Sequence, residues 1–104
     1  MNKLSVKLLM LLTFLIAFLF ALTAQAGEGI ALTWKTKNGG WRACGPVQCL
    51  QTGYKTENEA LSKVVGYYSA TYSTKYGRCN MYKVTGVKSY DVSDAIIKRN
   101  AQCR

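Results

Sequence analysis

Cys44, Cys49, Cys79 and Cys103 are the residues whose type and spacing carry the most explicit chemistry in this chain. Cys44 and Cys49 could form half of a metal site or a redox pair. Zinc sites space paired cysteines by about two to four residues and often add histidine, but the chain has no His. Disulfide oxidoreductases favour Cys-x-x-Cys, which is absent. No metal or cofactor is expected. An even cysteine count in a short exported chain instead reads as a two-disulfide framework. Four cysteines allow three pairings. Cys44–Cys49 with Cys79–Cys103 is favoured, because the first closes a local turn and the second ties a terminal helix to a hairpin.

Catalytic chemistry finds little purchase. Without His, every Ser-His-Asp or Cys-His arrangement is excluded. After residue 26 the acids are Glu28, Glu57, Glu59, Asp91 and Asp94. Glu57 and Glu59 fall in the first turn of one expected helix, and Asp91 and Asp94 flank the start of another. Both pairs read as helix-dipole partners. A non-enzyme is expected. Basic residues gather late, at Lys75, Arg78, Lys83, Lys88, Lys98, Arg99 and Arg104, interleaved with Tyr67, Tyr76, Tyr82 and Tyr90. Such a surface can neutralise phosphates and stack on bases. It suits an acidic protein or an anionic envelope component equally well, and it also keeps a small protein soluble. The expected binding surface is Lys75, Arg78, Lys83, Lys88, Lys98 and Arg99 with Tyr67. An acidic envelope partner is favoured over nucleic acid.

Several elements must position these residues. Residues 56–76 form the one long helical pattern: from Leu61, the residues Val64, Val65, Tyr68 and Tyr72 fall within about 60° on a helical wheel. Thr56 with Glu59 reads as a capping box. The helix is expected over 57–73, with Tyr68 and Tyr72 in the core, Tyr67 available to a partner, and Lys75 beyond the end. Residues 30–37 alternate as a half-buried strand, with Ile30, Leu32 and Trp34 on one face. Asn38-Gly39 signals a tight turn into a short strand at 41–44. Residues 79–84 and 87–92 read as a second hairpin turning at Thr85-Gly86. Ser93 caps a short helix over 94–102, with Ile96, Asn100 and Cys103 along one side. The order is β-β-α-β-β-α. The expected fold is α+β: a small antiparallel sheet of two hairpins with one main helix, a short C-terminal helix and two disulfides.

Residues 1–26 read as a cleaved signal peptide. Lys3 and Lys7 precede a 15-residue stretch over 8–22 that is apolar apart from Thr13, and Ala24-Gln25-Ala26 is a small-x-small cleavage site. No later stretch could span a membrane, so a periplasmic or secreted product is expected. Residues 27–104 then make a single small domain. Setting aside Lys3 and Lys7 leaves 12 basic against five acidic residues, a net charge of +7.

The exported head, the mature start Gly27-Glu28-Gly29, the short length and the basic tail together resemble the KikA-like small exported proteins of conjugative plasmids. That resemblance is one of format, with no shared motif and no functional residue to carry across. It implies a periplasmic protein of a transfer region whose expression can kill certain bacterial hosts. Three functions are therefore expected in order: a non-catalytic interaction protein on an acidic envelope partner, a toxin-like protein acting from the periplasm, and a nucleic-acid-binding protein.

Overall fold

A computed structural model describes residues 27–104; the expected signal segment 1–26 lies outside the described residues. Four strands, β1 (Gly27–Lys35), β2 (Trp41–Cys44), β3 (Ser69–Tyr76) and β4 (Cys79–Val87), form one antiparallel sheet in the order β2-β1-β4-β3. Helix α1 (Glu57–Val65) packs on one face. Helix α2 (Asp94–Asn100) packs on the other. The fold is the expected small α+β domain with disulfides Cys44–Cys49 and Cys79–Cys103.

Because a helix covers each face, β1 is not the half-buried strand that its alternation predicts. Ala31, Leu32, Thr33 and Trp34 are all buried. Ala31 packs with Ala43, Leu61, Val64 and Val84 under α1, whereas Leu32 and Trp34 pack with Ile97 and both Cys79 and Cys103 under α2. A central strand between two layers must be apolar on both sides, with Thr33 as the polar exception.

The connection from β1 to β2 is also wider than a two-residue turn. The last pair is Lys35↔Trp41, and the loop closes through Thr36 N–H donating to Gly40 O at 2.8 Å. Asn38 keeps a negative φ, so the tight turn needing two positive values does not form. Pairing Trp34 with Arg42 then puts Trp34 and Trp41 on opposite faces.

The main helix is shorter than its pattern. The Thr56 hydroxyl accepts from Glu59 N–H at 3.2 Å, as expected of the cap. Leu61, Val64 and Val65 are buried. The helix stops at Gly66, whose φ of 58° lies in the left-handed region where glycine carries no Cβ penalty. Residues 69–76 then run as β3, not as helix. Tyr68 and Tyr72, four apart, fit one helical stripe, but the sequence SATYSTKY is rich in Thr and Tyr and belongs on a pleated strand. Tyr72 is consequently 54% exposed on an edge strand, not core.

The second hairpin is accordingly β3–β4, turning at Gly77-Arg78. Thr85-Gly86, expected as a turn, lies inside β4. Gly27 pairs with Val87 and Glu28 with Thr85, so Gly86 is the extra residue of a β-bulge. Residues 88–92 form no strand; Asp91 and Val92 N–H groups both donate to Pro46 O. Helix α2 ends at Asn100, two residues short of expectation, and docks through buried Ile97 while Asn100 stays exposed.

Candidate functional site: a basic groove at the β3–β4 turn

Gly77 sets the geometry of this end of the molecule. Its φ is 59°, and a Cβ there would collide with the carbonyl oxygen of Cys103. The tail after α2 is therefore laid directly against the β3–β4 turn. Arg78 N–H donates to Cys103 O at 2.8 Å, and Arg78 Nε donates to Gln102 O at 2.6 Å. The disulfide to Cys79 fastens the same segment covalently.

Between turn, tail and the end of α2 lies a groove of about 640 Å³ lined by Tyr76, Lys98, Arg99, Gln102, Cys103 and Arg104, with Gly77 and Ala101 between them. Its lining has three cationic side chains and no acidic side chain. The Lys98 ammonium sits 5.5 Å from the Tyr76 ring centroid, a cation–π contact.

Of the expected surface, the groove gathers only Lys98 and Arg99. Arg78 builds its wall instead of lining it. Lys83 lies on the same sheet face but is ion-paired with Glu28 at 3.1 Å. Lys75 pairs with Asn80 across the hairpin, and alternation places it on the α1 face. Tyr67 is fully exposed just before β3, at the end of the sheet where Ser69 meets Thr85. Lys88 follows Val87 at that same end, away from the turn. Tyr76 and Arg104 complete the groove; both stand among the late tyrosines and cations, but no spacing rule joins them.

The other charged clusters are structural. Arg42 donates through Nε and Nη2 to Leu50 O and stacks over Trp34 at 5.3 Å. Glu57 does more than complement a helix dipole. Its carboxylate accepts from Asn80 Nδ2 at 2.7 Å and from the Tyr82 hydroxyl, locking α1 to the sheet. Burial, followed by the hydrogen bond and negative charge of Glu57 and a smaller effect of Tyr72, pushes the Tyr82 phenol up to about 12. Among the described residues no three His, Cys, Asp or Glu side chains come together as a metal site. No described helix is long and apolar enough to cross a membrane. No family model matches the chain, and neither curated proteins nor solved structures show a match to it.

Proposed function

We propose that this protein is a non-catalytic interaction module that works outside the cytoplasm, periplasmic or secreted, and binds an acidic envelope partner through the groove at Tyr76, Lys98, Arg99 and Arg104. The observation that carries the reading is the segregation of charge on the α2 face. Asp94 begins α2 beside Glu28 and Lys83, whereas Lys98, Arg99 and Arg104 meet at its far end with no acid among them. Cations gathered in one concavity without an acidic side chain among them favour a focused positive potential, which raises encounter rates with acidic partners and helps to orient them. The two disulfides suit an oxidising compartment.

The test is affinity capture from a cell-envelope extract, comparing wild type with a Lys98→Glu, Arg99→Glu, Arg104→Glu variant. The expected result is loss of the wild-type partner in the variant. An unchanged set of retained proteins would remove the reading. Duplex and single-stranded DNA serve as parallel baits; retention there, steeply weakened by salt, would point to phosphate backbone as the anion instead.

A further inference from the structure

The two edges of the sheet are treated differently. The outer side of β2 is sealed by its own chain: Trp41 and Tyr54 exchange both backbone hydrogen bonds at 2.7 Å, Leu50 N–H donates to Ala43 O at 2.9 Å, and Cys49 bridges Cys44. The outer side of β3 has no such cover among the described residues. Every residue of β3 except Ala70 is exposed. An open row of backbone donors and acceptors is a template for another strand.

We propose that an extended, acidic segment of a partner protein adds to the free edge of β3 as a further strand and places its acidic end in the groove at Tyr76. This rests on the reading of that groove as the acidic partner's site. Tyr76 is both the last residue of β3 and a wall of the groove. A strand laid along β3 therefore ends at the residue that opens the groove lined by Lys98, Arg99 and Arg104. Lys75 is the only charged residue on β3, so the whole path is either neutral or positive.

The same features disfavour a second copy as the occupant. Lys75 on the edge is a device that blunts edge-to-edge pairing between two copies, each of which carries the same positive charge there. Two copies would also bring net positive molecules together, whereas an acidic strand is attracted. Backbone pairing then supplies affinity that tolerates sequence, and the groove supplies the charge selection.

The probe is a fluorescein-labelled peptide of sequence Glu-Glu-Glu-Thr-Val-Thr-Val-Thr, whose acidic end meets Tyr76 in antiparallel addition. Two companions are a copy N-methylated at alternate residues and free tri-glutamate. With residues 27–104 as the protein, anisotropy should show the N-methylated copy binding at least ten-fold more weakly. Amide exchange within 69–76 should slow at least ten-fold on binding the parent peptide. Equal binding of parent and N-methylated peptides, with no protection of 69–76, would overturn strand addition and leave the groove reading standing. Binding of neither peptide nor tri-glutamate would sink both. Protection of 69–76 in a concentration-dependent dimer without peptide would make the second copy the occupant and also overturn the proposal.

Discussion

Gly77 and Tyr82 show how single residues hold the two layers in place. Gly77→Ala meets both a left-handed φ and the Cys103 carbonyl, so the turn or the tail must move. A positive φ alone costs Ala about 1 kcal/mol, which is the expectation for Gly39→Ala, where nothing lies within 4 Å of the added Cβ. Urea denaturation should show Gly77→Ala losing clearly more, about 2–4 kcal/mol once the clash is included. Equal losses would mean that the tail yields without resistance. Tyr82→Phe should cost about 1 kcal/mol at neutral pH by removing a donor to the Glu57 carboxylate. The folded state holds the Tyr82 proton more tightly than the unfolded chain does, with the phenol raised from 10.0 to about 12. Its contribution is therefore complete below pH 10 and is lost as pH rises through 12. Stability measured at pH 9, 10 and 11 should fall less steeply in Tyr82→Phe than in wild type; parallel slopes would contradict the assignment.

At the scale of elements, the two disulfides do unequal work. Cys79–Cys103 spans 24 residues of sequence and Cys44–Cys49 spans 5. Restriction of the unfolded chain gives about 3.5 kcal/mol for the longer loop and about 2 kcal/mol for the shorter. Paired Cys→Ser variants should rank in that order by thermal unfolding, and loss of Cys79–Cys103 should also free the tail that walls the groove. A reversed order would show that native packing outweighs loop entropy. Much of the fold was legible: the Thr56 and Ser93 caps, the α1 core residues and the disulfide pairing all follow from local chemistry. The stretch 69–76 was not. Tyr68 and Tyr72 satisfy a helical spacing, and only the left-handed Gly66 breaks it. The helix expected over 57–73 runs through Gly66, where the chain instead leaves the helix and enters β3. Thr85-Gly86 suits a turn and a bulge alike, because a bulge inside a strand uses the same residues. β1 misled in the opposite sense, since alternation over 30–37 says nothing about a second helix arriving from the chain's end.

For the whole molecule, the groove was only half legible. The late cations were visible as a group, yet sequence order could not tell Lys98, Arg99 and Arg104, which converge, from Lys83, Lys88 and Lys75, which disperse. That sorting depends on Gly77 and the Cys79–Cys103 bridge folding the tail back. In the proposed function these three cations bind because of where they meet, not because the chain is basic. Binding of poly-L-glutamate at low salt tests it most directly, with the groove reversal Lys98→Glu, Arg99→Glu, Arg104→Glu set against a charge-matched reversal at Lys55, Lys63 and Lys88. Both variants change net charge equally. The groove variant should lose ten-fold or more in affinity while the control loses little. Equal losses in the two would contradict the account and leave only the diffuse attraction of a basic protein.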